Sequence, residues 1–525
     1  MDDATWEISV APAGKAPWQV GKASASTARP MAAEKSEPTI VPRTRGNARR
    51  GKGRQGENFV TDSTSADTER RHLEFPAWQD TIAEMARADP RLRFTTLAHR
   101  LTPEVLELAY RRLNRKAAPG PDGLTVPQYG EALKSRLTAL HERMVKGSYR
   151  AHPARRVTIP KPNGKRRALG IANVEDRVVQ GAIAMVLTPI YEQDFLDFSY
   201  GFRPGRSAHG ALEELRKTID RRQVKVVFEA DLKGFFDNLD HEWLRKFLAH
   251  RIADRGLLRL IGKILKSGVM EEDGRVLRTG RGAPQGGPLS PLLANIYLHY
   301  VLDLWFDRRF RPSCRGVAQM VRYADDFVVC FEHREEAERF HREVVERLAA
   351  FGLELVPDKT RQIEFGTDLD ERGPGPGSGE RTFEFLGFTH YLKRRPKRGL
   401  RTARKPSGKS RNRFLREQKD WLQRHMHHSP WLHKRVLTQK LRGFYQYFWL
   451  RHCGPSLRHI HWHVERLWVR ALRRRSQKGY RSWTWFKRRL WFSLPRPKKT
   501  RRKKAARKPA ERQTTGPVQM QLFAT

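Results

Sequence analysis

Apolar residues along this chain change their spacing several times, and each change marks a different kind of structure. Residues 1–75 show no apolar period; they are rich in Ala, Pro, Ser, Thr and Arg and predict a disordered basic extension. Over residues 76–150 apolar positions return at helical spacing, as at Leu101, Val105, Leu106, Leu108 and Leu113, before the turn-forming APGPDG of Ala118–Gly123. Between 151 and 392, short β-rich runs such as VKVVFEADL and FVVCF alternate with helical stretches, the pattern of an α/β or α+β unit. Within it, RGPGPGSGER (Arg372–Arg381) predicts a surface loop between two strands. Over 393–497 the period is helical again: Leu437, Leu441, Phe444, Tyr445 and Phe448 share one face, and Lys434, Arg435, Lys440 and Arg442 lie between them. Similar stretches at Phe414–Met426 and Leu457–Leu472, with breaks near Pro430 and Gly454-Pro455, give about three helices. Residues 498–525 open with the basic run KKTRRKKAARK and predict a flexible phosphate-binding tail.

Charge narrows the partner. Lys and Arg total 103 against 57 Asp and Glu, a formal net charge of +46, so the folded chain attracts polyanions and nucleic acid is the leading partner. No apolar run is long enough to span a bilayer, so no membrane partner is expected. The acidic start MDDATWE lacks an apolar secretory core, which points to a cytoplasmic, nucleic-acid-associated setting. Cys314, Cys330 and Cys453 are widely spaced and form neither a disulfide framework nor a CxxC pair, so any metal should be held by oxygen ligands.

The strongest chemical signal is Tyr323-Ala324-Asp325-Asp326, flanked on both sides by apolar residues that predict a tight turn between two strands. Adjacent carboxylates repel unless a cation lies near them, and a divalent metal supplies one. A YxDD string alone is weak, because Asp-Asp pairs are common in turns. A third acid strengthens it: VKVVFEAD is a β-run ending in Asp231, which a strand end can deliver to the same metals. Three carboxylates suit two-metal phosphoryl transfer, with two Mg²⁺ ions about 3.5–4 Å apart. Asp237 and Asp240 read as helix N-terminal caps.

Taken together, the blocks RKAAPGPDGLT, RRVTIPKPNGKRRALGI, EDRVVQ, SYGFRPGRSAH, EADLKGFFDNLDH, GAPQGGPLSPLLANIYL, YADD, DKT and FEFLGF occur in an order that resembles the group II intron-encoded reverse transcriptases and maturases. The resemblance runs from about Phe94 to Pro495. It implies an α+β right-hand polymerase, with fingers and palm built on antiparallel sheet, followed by an α-helical thumb or maturase domain X. The implied divisions are a fingers extension over 76–150, fingers and palm over 151–392 and thumb over 393–497. Asp231, Asp325 and Asp326 would be the catalytic metal-binding acids, Phe236 would exclude a ribose 2′-hydroxyl, and Gln285 would line the nucleotide pocket. Lys161 and Arg167 would meet the incoming triphosphate, and Lys359 matches a palm lysine near the site. A basic hairpin accounts for Lys161, and a solvated loop for Lys359, without any such role.

The implied function is RNA-directed DNA synthesis from dNTPs on an RNA template with a DNA primer, together with binding of group II intron RNA and target DNA. In the thumb, Lys440, Arg442 and Tyr445 are the expected nucleic-acid contacts, although Gly443-Phe444-Tyr445 departs from the tryptophan that relatives often carry after this glycine. Nothing after Pro495 supplies the cysteine pairs of the HNH endonuclease found in many relatives, so second-strand cleavage by this chain is not expected. His459, His461 and His463 alternate along a helix and so point in different directions, which argues against zinc. Two other readings stay open: a splicing-only RNA-binding maturase, and a reverse transcriptase domesticated for DNA repair.

Overall fold

A computed structural model describes residues 76–498 apart from 161–165, 222, 279, 284–285, 366–380, 396–398 and 476–480. The expected N-terminal extension, almost all of the basic tail and nearly all of the Gly/Pro loop lie outside the described residues, as do Lys161 and Gln285.

The described residues open with four α-helices, α1 (Trp78–Ala88), α2 (Pro103–Arg111), α3 (Val126–Gly130) and α4 (Leu133–Val145). Their starts are written locally. Thr102 caps α2 with Pro103 at the first helical position, and Thr125 with Gln128 forms a reciprocal capping box on α3. Strands β1 (Ala154–Pro160) and β2 (Arg166–Ile171) form an antiparallel hairpin, followed by α5 (Val174–Asp194), which α1 and α2 cover. With Val178, Val179, Ala182, Ile183, Val186 and Ile190 buried, and Asp176, Arg177 and Gln180 buried beside them, α5 is covered nearly all round as a central helix.

Next come α6 (Ala208–Arg221), β3 (Val226–Asp231), α7 (His241–Ala249), α8 (Arg255–Leu265) and the two-residue strands β4 (Val269–Met270) and β5 (Val276–Leu277). Strand β4 joins β1 in parallel, giving a sheet ordered β2-β1-β4-β5. Helix α9 (Ser290–Leu298) continues through wider helical turns toward Phe310 and leads to β6 (Ala318–Tyr323) and β7 (Asp326–Phe331). Helix α10 (Arg334–Ala349) then returns the chain to β8 (Arg361–Glu364). The second sheet is ordered β6-β7-β3-β8 with every pairing antiparallel, and Val227, Phe228, Val328 and Val329 are fully buried in it. The observed class is α+β.

A third sheet, β11-β10-β9, is built from β9 (Thr382–Phe385), β10 (Phe388–Arg395) and β11 (Gly399–Pro406). The strands therefore run on to Pro406, past the change of composition at residue 393. Cations in LKRRPKRGLRTARKP mask a β-hairpin there: Lys393 and Lys405 are exposed on its strands, as a solvent-facing strand allows, whereas Arg404 is buried and paired with Glu213. Helices α11 (Gly408–Arg424), α12 (Pro430–Phe448) and α13 (Gly454–Arg473) follow, then the short α14 (Trp483–Lys487). Their starts at Pro430 and Gly454 fall at the expected breaks. Trp468 is fully buried among them, its indole Nε1 donating to His433 Nδ1 at 3.1 Å.

Candidate active site

Antiparallel register brings the three acids together. Asp231, the last residue of β3, lies directly opposite Asp326, the first residue of β7, and Asp326 also pairs with Tyr323 at the end of β6. The connection between β6 and β7 is therefore the two residues Ala324 and Asp325, with Ala324 held at φ +58°. Apolar strands bury their middles and leave the acidic ends half-buried at one edge.

Three carboxylates at one edge repel each other. Burial pushes Asp326 up to about 8, and the charges of Asp231, Asp325 and Glu229 add to that, while Lys359 pulls it back. Burial also raises Glu229, whose partner Arg361 donates to it at 2.8 Å and partly offsets the effect. Lys359 reaches Asp231 with its ammonium. Burial pulls that ammonium down, but the bond to Asp231 and the charges of Asp326 and Asp325 outweigh it and hold Lys359 above its usual range.

Among the described residues, no three His, Cys, Asp or Glu side chains stand close enough as placed to hold an ion unaided. The donor set nevertheless suits a hard divalent cation. It is all carboxylate, and burial together with the neighbouring carboxylates drives Asp326 toward neutrality even with one lysine drawn in. Substrate phosphates characteristically complete the ligand shell of such ions.

The acids open on a cleft of about 1310 Å³ whose lining also carries Lys405, Lys409, Arg411 and His459. Of these four, sequence reading singled out only His459, weighed as a metal ligand, and missed Lys405, Lys409 and Arg411. A signal for them exists: Ser407 caps α11, accepting from Ser410 N, yet the first turn of that helix carries Lys409 and Arg411 and no acid. Cations at the positive end of a helix are unfavourable alone and favour an anionic ligand there. The FEFLGF block places this part of the lining. Phe383, Phe385 and Phe388 are buried, Leu386 and Gly387 turn the chain with positive φ, and the Gly387 carbonyl accepts from Ser407 N at 2.9 Å and Ser410 Oγ at 3.2 Å.

The other expected site residues fall as follows. Phe236 is half-buried in the short turn after β3, beside Phe235, and its carbonyl accepts from Ala283 N at 2.8 Å. Arg167 pairs with Ile159 in the β1–β2 hairpin. Asp240 caps α7 as expected, accepting from Glu242 N and Trp243 N, whereas Asp237 lies exposed in the preceding turn and caps no helix. On α12, Arg442 is exposed and Lys440 lies over the Trp421 ring, 5.6 Å from its centroid. Tyr445 departs from its expected RNA contact. It is only 6% exposed and its hydroxyl meets His461 Nδ1 at 3.1 Å, because the apolar stripe that includes it faces the helical core. The alternating histidines do diverge: His461 turns inward, while His459 and His463 share the outer face with ring nitrogens 2.9 Å apart.

An acidic turn between two strands and a third acid on the adjoining strand line a cleft that also carries cations, and residues 159–390 match the reverse transcriptase (RNA-dependent DNA polymerase) family. Three relatives refine this. Protein YkfC of Escherichia coli (strain K12) is 37% identical over 283 residues, covering 48% of this chain and 74% of that protein. The group II intron-encoded protein LtrA of Lactococcus lactis subsp. cremoris is 35% identical over 248 residues, 45% of this chain and 41% of LtrA. The putative COX1/OXI3 intron 1 protein of Saccharomyces cerevisiae is 30% identical over 246 residues, 45% of this chain and 29% of its own. The chain belongs to the group II intron-encoded reverse transcriptase and maturase family. Its matched stretch spans less than half of the intron proteins themselves. Among the described residues no helix is long and apolar enough to cross a membrane.

Proposed function

We propose that this chain is an RNA-directed DNA polymerase that copies RNA into DNA at the Asp231–Asp325–Asp326 edge and binds group II intron RNA as a maturase. The observation that carries the reading is the register pair Asp231–Asp326, which sets the strand-end acid beside the acidic turn at the mouth of a cation-walled cleft. In this reading the β6-β7-β3-β8 sheet is the palm, the β1–β2 hairpin belongs to the fingers, and α11 to α13 form the thumb.

Asp231, Asp325 and Asp326 would hold two Mg²⁺ ions, which when bound promote ionisation of the primer 3′-hydroxyl and balance the negative charge of the triphosphate. The chain's own residues orient the reaction. The 3′-oxygen attacks the α-phosphorus of a dNTP, one P–O bond forms as the bond to pyrophosphate breaks, and the hydroxyl proton leaves to solvent. Phe236 would lie beneath the sugar and exclude a 2′-hydroxyl, and Gln285 would line the nucleotide pocket. Lys161 and Arg167 would meet the triphosphate, while Lys405, Lys409 and Arg411 would grip the backbone of the template–primer. Lys440 and Arg442 are surface cations suited to intron RNA.

Primer extension on an RNA template, with Asp325→Ala as control, tests the enzymatic half. Mg²⁺-dependent extension by the wild type and none by the variant are expected; equal products from both would remove the polymerase reading. Retained intron RNA binding without extension by the wild type would favour a splicing-only maturase.

A further inference from the structure

Beneath the acidic turn lies a guanidinium with no contact to water. Arg322 sits in β6 between Val321 and Tyr323, one residue ahead of the turn sequence, and it is 0% exposed. Such a charge is tolerated only when it is paired and its N–H groups are used. Its Nε donates to Asp303 Oδ1 at 2.7 Å and its Nη2 to Asp303 Oδ2, and Asp303 is likewise 0% exposed. Its Nη1 donates at 3.1 Å to Asn295 Oδ1 and at 3.1 Å to the carbonyl of Ala324, inside the turn itself.

The turn needs such support. Ala324 is held at φ +58°, a conformation that side-chain-bearing residues adopt at a cost and glycine adopts freely. A second contact comes from Gly201, which approaches so closely that a Cβ there would lie 2.3 Å from Ala324 N. The Gly201 carbonyl accepts from Asn295 Nδ2 at 2.7 Å, so Asn295 ties Gly201 to Arg322. Backbone bonds close the frame: Arg322 N donates to Phe198 O and Tyr200 N to Arg322 O, each at 2.8 Å.

We propose that Arg322, paired with Asp303 and bridged by Asn295 to Gly201, is a positioning residue that sets the Ala324–Asp325 turn so that Asp325 and Asp326 meet the primer end and nucleotide in register. The inference rests on the polymerase reading. It assigns this buried ion pair a catalytic consequence beyond stability, because a displacement of about 1 Å in reacting groups can lower a rate by roughly 100-fold.

Removing Arg322 alone would strand Asp303, so the informative variant is the double Arg322→Met/Asp303→Leu, which keeps the volume and drops both charges. Expected are a melting temperature near that of wild type, unchanged template–primer affinity and nearly unchanged KM for dNTP. With these, kcat should fall by about 100-fold and the Mg²⁺ concentration for half-maximal rate should rise. Gly201→Ala and Asn295→Leu leave the ion pair intact and should lower kcat by at least about tenfold through the same turn, and they decide the matter if the double variant does not fold. Folded variants with wild-type kcat and Mg²⁺ dependence would overturn the assignment. If the wild type itself extends no primer, the polymerase reading has failed instead, and the two failures are told apart in one assay.

Discussion

Replacing Asp326 by asparagine should destroy polymerase activity yet stabilise the metal-free protein. Asp326 sits at the edge with Asp231 and Asp325, and burial followed by their repulsion moves its pKa from an ordinary 3.8 to about 8. A folded pKa above the unfolded one means that the group's contribution is fully present below about 3.8 and is lost as pH rises through about 8. At about 1.4 kcal/mol per decade, the displacement sets a ceiling of roughly 6 kcal/mol. Asp326 is only partly buried and borders an open cleft, so solvent screening and local relaxation reduce the expected loss to about 1–2 kcal/mol. Thermal melts in EDTA from pH 5 to 9 read this directly. Wild type should fall relative to Asp326→Asn by roughly 2–4 °C across the range, and added Mg²⁺ should recover wild type while leaving the variant unmoved. An asparagine variant that melts with or below wild type at pH 9 in EDTA would refute the crowding of charge at this edge.

Three further outcomes are expected. Phe236→Ala should raise the incorporation of ribonucleotides relative to deoxynucleotides, by at least about tenfold, in single-nucleotide extension; unchanged selectivity would exclude steric control by that ring. The triple variant Lys405→Gln/Lys409→Gln/Arg411→Gln should weaken template–primer binding and lower the slope of log affinity against log salt by about 2–3, measured by filter binding between 50 and 200 mM salt. Trp468→Ala, which empties a fully buried site and deprives His433 of its donor, should cost about 3–5 kcal/mol in urea unfolding; a loss under 1 kcal/mol would contradict the packing described.

The sequence made the acidic centre legible because its elements are local. Val224–Asp231 and Met320–Phe331 read as strands from their apolar runs, and only the antiparallel pairing of β3 with β7 was needed to join them. The helix breaks at Pro430 and Gly454 were legible for the same reason. What the sequence hid depends on long-range packing. Tyr445 carries a polar group suited to RNA, but its place on the apolar stripe of α12 decided its burial. Strands β10 and β11 were masked by their cations. Arg322 stood in plain view inside an apolar strand, but its partners Asp303 and Asn295 lie 19 and 27 residues away on a helix whose inward face the local pattern does not specify.

Iron-mediated cleavage tests the central claim most directly: Fe²⁺ replaces Mg²⁺ in the protein with template–primer bound, added hydrogen peroxide is reduced at the Fe²⁺ to hydroxyl radical with ascorbate recycling the Fe³⁺, and the radicals cut nearby backbone. Cuts beside both Asp231 and the Asp325–Asp326 turn, suppressed together by excess Mg²⁺ and by Asp325→Ala, are expected. Cuts at only one of the two segments, or at neither, would contradict a shared metal site.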